Sequence, residues 1–238
     1  PEEVKFGLPL SSGVDSNYLY EVIKKSKKLD NLTGVYTVSS NDERYSEAKY
    51  LDVVKAELQQ IGVPFNHIKP PKGNHFLDIL KKMVSQRLGL VLGLNYVGQY
   101  QLYEKMHQDG ARVSISGVGA DELFSGYYDH YNLHYATQRK QIFLRKWEQN
   151  IKPIVRNPWL QDINLFIKNP SEREHLLEDG ENYSHLFKNK VDFPKIEENK
   201  KLSLLRRRME NELLTEIVPN VLRDDDFNSM KHSIENRS

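Results

Sequence analysis

The sequence contains no cysteine. That excludes disulfides, thiolate metal ligands and a cysteine nucleophile within these residues, and it fits a reducing compartment. No apolar run approaches the roughly 20 residues that span a bilayer, and the opening PEEVKFGLPL lacks the basic-then-apolar plan of a signal peptide. The expectation is a cytoplasmic protein with no membrane partner. Neither charge is in surplus: 34 basic and 33 acidic residues leave a formal charge of +1. The broad positive field that duplex nucleic acid demands is missing, so no nucleic-acid partner is expected, while phosphate-rich small molecules remain allowed. Two nucleotide templates are also absent. There is no GxxxxGK[ST], and GVGADE puts Glu122 where a dinucleotide-binding turn needs its third glycine.

What is present is alternation. Short apolar runs at VKFGLPL, LTGVYTV, VPFNHI and ARVSIS have strand length and β-branched or aromatic content, and stretches of helical periodicity separate them. Strand–helix–strand repetition predicts an α/β fold with a parallel twisted sheet and helices on both faces. Tyr18, Leu19, Val22 and Ile23 fall at helical spacing, as do Tyr50, Leu51, Val54, Leu58 and Ile61 between Glu43 and Ile61; both sets are expected to cover the sheet. From Phe76 to His107 a helical pattern is interrupted by RLGLVLGLNYVG, whose glycines predict a break or a close backbone approach. After Glu122 strand signals disappear, and prolines punctuate short helices. The predicted organisation is an α/β core over 1–130 and a mainly helical portion over 131–238, with the boundary near Tyr131 and the two together forming one catalytic domain. A start at Pro1 and an end at IENRS suggest a piece of a longer chain.

Two loops carry the chemistry. In LPLSSGVDSNYL, an apolar strand stops at Ser11, Ser12 and Gly13, and a helix begins behind Asp15 and Ser16. Small residues let backbone amides approach an anion, the following helix adds unpaired N–H groups, and the serine hydroxyls could donate further bonds. A carboxylate beside a phosphate pocket repels its ligand unless a divalent cation, Mg²⁺ being the natural choice, lies between them. The alternative is a tight turn whose helix is capped by Ser16 or Asp15. The second loop, SGVGADELFSGY, repeats the recipe after ARVSIS: small residues at Ser116, Gly117, Gly119 and Ala120, then Asp121 and Glu122 opening a helix. Here too a helix start favours acids for dipole reasons alone.

At this separation the two loops resemble those of the asparagine synthase family, whose synthetase domain belongs to the ATP pyrophosphatases with a Ser-Gly-Gly-x-Asp-Ser loop. LSSGVDS matches with Ser12 in place of a glycine, and SGVGADELFSGY resembles Ser-Gly-x-Gly-Ala-Asp-Glu-Leu-Phe-Gly-Gly-Tyr. YSEAKYLDVV is similar to the helix after the family's second strand, and LRDDDFNSMKHSIENRS to a later segment ending in Ser-x-Glu-x-Arg. The resemblance implies an ATP-dependent, AMP- and pyrophosphate-forming ligase that adenylates a carboxylate and amidates it with ammonia, by default aspartate to asparagine. It implies that Ser11, Ser12, Gly13, Asp15 and Ser16 hold pyrophosphate, that Leu10, Val38, Ser116 and Gly117 line the rest of the ATP site, and that Asp15 and Asp121 hold Mg²⁺. Asp15, Asp121 and Glu122 would be catalytic, and Gly119, Asp226, Ser229, Glu235 and Arg237 would border the substrate. Ammonia would come from a glutaminase domain or subunit outside these residues, or from free ammonia. A homo-oligomer is compatible with all of this.

The chain departs from the family at Val118, where glutamate is common, at Phe227, usually basic, and at Lys231, usually alanine. Amidation of a uronic or other sugar acid, β-lactam formation and a catalytically silent nucleotide-binding module are therefore competing readings. The family also continues past Arg237 into a Pro-Phe-Leu-Asp stretch and a later lysine.

Other features read as structural. His130 and His134, one helical turn apart, lack an HExxH glutamate or evident third ligand and are expected on the surface or in packing. Arg206 to Arg208 read as the wet face of an amphipathic helix. Asp224 to Asp226 read as a solvated acidic turn or, for Asp226, a pocket residue. Glu235 and Arg237 fit either a buried ion pair or a clamp on a carboxylate. The aromatic run YYDHYNLHY is expected to pack the sheet against the helical half.

Overall fold

A computed structural model describes residues 4–26, 28–39, 50–87, 91, 93–138, 140–155, 160–170 and 199–238. By contacts between Cα atoms the chain forms two units, one from 1–118 with 220–238 and one from 119–219.

The first unit is built on five parallel strands in the order β3-β2-β1-β4-β5. They are β1 (Phe6–Pro9), β2 (Leu32–Val38), β3 (Phe65–Ile68), β4 (Val113–Ile115) and β5 (Glu235–Arg237). The first four fall in the apolar runs read from the sequence; β1 and β2 are nearly continuous in hydrophobicity, as burial on both faces requires, while β3, at one edge, carries Asn66 and His67 and is only partly buried. The fifth corrects the reading that strands end before Glu122. Glu-Asn-Arg has no β-branched residue, and as an edge strand it presents two of its three side chains to solvent.

The helices of this unit are α1 (Val14–Lys25), α2 (Asp52–Gln60), α3 (Gly73–Arg87), α4 (Tyr96–Gln108) and, from Asn220 onward, α10 (Val218–Lys231). Adjacent residues of β2 point to opposite faces. Val35 joins Leu8, Leu10, Tyr20, Ile23, Leu51 and Leu58 in one core, while Tyr36 joins Leu102, Tyr103, Met106 and Ile234 in another. The buried stripe of α1 is Ser16, Tyr20 and Ile23, with Leu19 beside it, whereas Tyr18 and Val22 are exposed. In α2, Leu58 is buried below Leu51, while Tyr50 and Ile61 are exposed. Of the predicted stripes, Leu19, Ile23, Leu51, Val54 and Leu58 thus face the core, while Tyr18, Val22, Tyr50 and Ile61 do not. The segment 43–49 of the predicted second helix lies outside the described residues. The glycine-rich interruption separates α3 from α4, and its last glycine, Gly98, makes the close approach: a Cβ there would stand 2.7 Å from Val38 Cγ1.

The second unit is helical: α5 (Ala120–Phe124), α6 (Tyr128–Gln138), α7 (Gln141–Asn150), α8 (Ile163–Lys168) and α9 (Leu204–Asn211), then a π-helical turn at Glu212–Glu216. Its core gathers Ala136, Trp147, Ile151, Val155, Leu160, Ile163 and Phe166. Trp147 Nε1 donates to Asn132 Oδ1 at 2.6 Å, and Asn132 Nδ2 donates to the Leu160 carbonyl at 2.8 Å. Tyr128 and Tyr135 of the aromatic run pack on this core. Among the described residues no helix is long and apolar enough to cross a membrane.

Candidate functional site

From β1 the chain steps outward to β2 and β3 on one side and, later, to β4 and β5 on the other. The connections leaving β1 and β4 therefore diverge, which makes their carboxyl ends the switch point where open α/β sheets bind ligands. Pairing between β1 and β4 covers only Phe6↔Val113 and Gly7↔Ser114. Beyond Gly7 the strands are no longer laddered to each other, and Pro9 has no N–H to extend the ladder. Leu10, Val38, Ser116 and Gly117 follow or end neighbouring strands at this same edge.

The loop after β1 is knitted by its own side chains. Ser16 Oγ accepts from the Ser11 N–H at 3.1 Å and lies 3.0 Å from Ser11 Oγ, and Ser11 Oγ accepts from the Gly13 N–H at 3.1 Å. Asn17 Nδ2, which the sequence reading passed over, donates to the carbonyls of Ser11 and Gly13 at 3.0 and 2.7 Å. The N-cap of α1 is Gly13, with no side-chain cap, so neither Asp15 nor Ser16 caps the helix. The Ser16 hydroxyl instead turns back into the loop, leaving the first amides of α1 to whatever lies in front of them. Ser12 and Gly13 are exposed and Asp15 is half-buried in the first turn. Among the described residues the Asp15 carboxylate has no hydrogen bond or ion pair.

Gly117 touches this loop from behind. A Cβ on it would lie 3.3 Å from Asp15 Cβ and 3.6 Å from the Ser16 nitrogen. The two loops are thus in contact through a glycine, and a side chain at 117 would crowd the Asp15 side chain.

The rest of the second loop belongs to the second unit. Gly119, at φ +91°, starts α5 in a conformation that L-residues rarely adopt. Asp121 Oδ1 lies over Gly126, where an added Cβ would be 1.7 Å away, so the SGY triplet supplies the gap that accepts this carboxylate. Glu122 is buried, and its Oε1 accepts from Tyr127 Oη at 2.5 Å. Burial, together with that carboxylate, holds the Tyr127 phenol well above its ordinary range, so it remains the donor.

The same unit corrects the reading of Arg208 and bears out that of the two histidines. Arg208 is not on a wet face: it is buried and donates to Asp129 Oδ2 at 2.7 Å. His130 is fully buried with Nε2 2.5 Å from Glu212 Oε2, while His134 is exposed, so the two histidines do not share a site. Asp129, His130 and Glu212 have ligand-type atoms within 4.8 Å of one another, so a third partner does exist, 82 residues away. Arg208 and the His130–Glu212 contact already engage this cluster.

Of the residues proposed to border the substrate, Gly119 lies in the second unit and the others on α10 and β5. Asp226 is exposed, and Ser229 is buried with its hydroxyl on the Asp226 carbonyl at 3.2 Å. The acidic triplet is helical rather than a solvated turn, and Asp224 and Asp225 are both buried. Glu235 and Arg237 do pair, at 3.0 Å, but with side chains about 60% exposed, so the buried-pair reading falls.

The family model described as asparagine synthase matches residues 2–238. No curated protein matches.

Proposed function

The chain belongs to the asparagine synthase family, a family of ATP-dependent ligases of amidotransferase type, and from that premise we propose that it adenylates a carboxylic acid and converts it to an amide with ammonia, releasing AMP and pyrophosphate. The observation that carries the reading is the contact of Gly117 with Asp15 at the β1/β4 switch point. It sets two small-residue loops side by side at the start of a 12-residue helix, an arrangement suited to a polyphosphate. In this reading the amides of Ser12, Gly13 and the first turn of α1 bind the pyrophosphate portion. Ser11 and Ser16 shape that loop through their mutual hydrogen bonds, and Leu10, Val38, Ser116 and Gly117 line the nucleoside side. Asp15 and Asp121 would hold Mg²⁺. The Asp15 carboxylate, with no hydrogen bond or ion pair among the described residues, suits its part in that role. The ion supplies charge neutralisation at the departing pyrophosphate. Glu122 supports the loop through Tyr127.

Aspartate is the default acceptor. A uronic or other sugar acid is the second reading, favoured by Val118 and by Phe227, an exposed residue where a basic side chain is usual. The test is pyrophosphate release by the full chain with ATP, Mg²⁺ and ammonium over a panel of aspartate and sugar acids. One acid should support stoichiometric pyrophosphate and amide, and Asp15→Ala should abolish turnover. ATP binding without pyrophosphate on any acid would make the protein a silent nucleotide-binding module, and unchanged turnover in Asp15→Ala would refute the metal assignment.

A further inference from the structure

Helix α10 ends in a turn whose hydrogen bonds set the direction in which the chain leaves it. The Ile234 N–H bonds to the Ser229 carbonyl at 2.9 Å and the Ser233 N–H to the Met230 carbonyl at 3.0 Å, with Ser233 at φ +55°. This is a Schellman turn with serine in the left-handed position, and the buried Ile234 supplies its apolar contact. The chain is thereby sent straight into β5 alongside β4, with Asn236 opposite Ser114. Two backbone bonds hold that register, Glu235 N–H to the Arg112 carbonyl at 2.9 Å and Ser116 N–H to the Arg237 carbonyl at 2.8 Å. Successive strand residues face opposite ways. Glu235 and Arg237 are exposed, and Asn236 is the residue of β5 turned inward.

Its carboxamide meets two groups. Asn236 Nδ2 donates to Asp225 Oδ2 at 2.7 Å and to Ser116 Oγ at 3.3 Å. Asp225 is 2% exposed and its other oxygen accepts from Tyr103 Oη at 2.6 Å. A buried carboxylate needs donors on both oxygens, so Asp225 fixes the amide's orientation. Ser116 is joined directly to Gly117, and Gly117 packs on Asp15. A continuous chain of contacts therefore runs from Tyr103 through Asp225, Asn236 and Ser116 to the loop that carries Asp15.

We propose that Asn236 is a positioning residue of the nucleotide site, holding the Ser116–Gly117 loop against the Asp15 loop by anchoring Ser116 to the buried Asp225–Tyr103 pair. The inference rests on the reading that these loops bind ATP. Asn236 acts through Ser116, and alanine at 236 removes both of its side-chain bonds while leaving the β4–β5 backbone register in place.

The experiment measures Mg²⁺-dependent binding of a non-hydrolysable ATP analogue by the full chain, and turnover at saturating ATP, for wild type, Asn236→Ala, Asn236→Ser, Ser116→Ala and the Ser116→Ala/Asn236→Ala double variant. Asn236→Ala should weaken analogue binding about tenfold and change kcat by less than about threefold, with Asn236→Ser between it and wild type. The double variant should bind no more weakly than Ser116→Ala, because the two positions act through one hydrogen bond. Losses that add in the double variant, or analogue binding by Asn236→Ala within about twofold of a wild type that binds, overturn the assignment while leaving the ATP reading intact. A wild type that binds no analogue overturns both. Should alanine unfold the chain, Asn236→Ser decides on the same criteria.

Discussion

Burial, reinforced by Asp226 and Asp224 nearby, pushes the Asp225 carboxyl up to about 6 from an ordinary 3.8, against the lowering effect of Tyr103. The folded chain therefore binds this proton more tightly than the unfolded chain does. The stability it contributes is complete below the ordinary value and is lost as pH rises through about 6. Asp225→Asn removes the titration. Urea unfolding at about pH 4 and about pH 8 should show wild type losing about 2 kcal/mol more than the variant over that interval. Equal losses would mean that Asp225 is ionised without penalty. The sequence showed the DDD and RRR triplets but not which member of each is buried. Asp224 pairs with Arg87 across 137 positions and Arg208 with Asp129 across 79. Nothing local distinguishes the buried acid or base from its exposed neighbour, because desolvation is decided by a partner that only the fold supplies.

Helix α10 is fastened to α3 through one guanidinium. Arg87, its side chain 4% exposed, is ion-paired with Asp224 and donates to the Asp224 carbonyl at 3.1 Å and to Asn228 Oδ1 at 3.0 Å. Asn228 Nδ2 reaches the Tyr96 carbonyl at 3.2 Å. The rings of Tyr96 and Phe227 lie 6.0 and 5.6 Å from the guanidinium carbon. Removing the arginine strands a buried carboxylate, so Arg87→Ala should lower the unfolding free energy by about 3–5 kcal/mol, and lysine should rescue little because it lacks the planar fork. Urea denaturation reads this directly, and a loss under about 1 kcal/mol would show the pair to be solvated. At this scale strands β1 to β4 were legible as apolar runs of strand length, β1 and β2 most clearly because they are the most buried. The edge strand β5 was not. It is held by backbone bonds and by the turn at Ser233, where a serine occupies a position that glycine usually marks.

In chain order the molecule is one unit with another inserted into it: 119–219 stands between the segment that forms β1 to β4 and the segment that returns as α10 and β5. The composition-based boundary near Tyr131 could not register such an insertion, because the return segment carries little apolar signal. The closeness of the two loops was more readable than the architecture around them, since small residues ending a strand before a helix mark a turn that the backbone can approach closely, as Gly117 does at Asp15. The central claim is that one ligand engages both loops, and hydrogen exchange of the full chain with and without a Mg²⁺-bound, non-hydrolysable ATP analogue measures that directly. Peptides containing Ser11 to Asn17 and peptides containing Ser116 to Val118 should slow together when the analogue is added. Protection confined to one loop, or found only elsewhere in the chain, would contradict it.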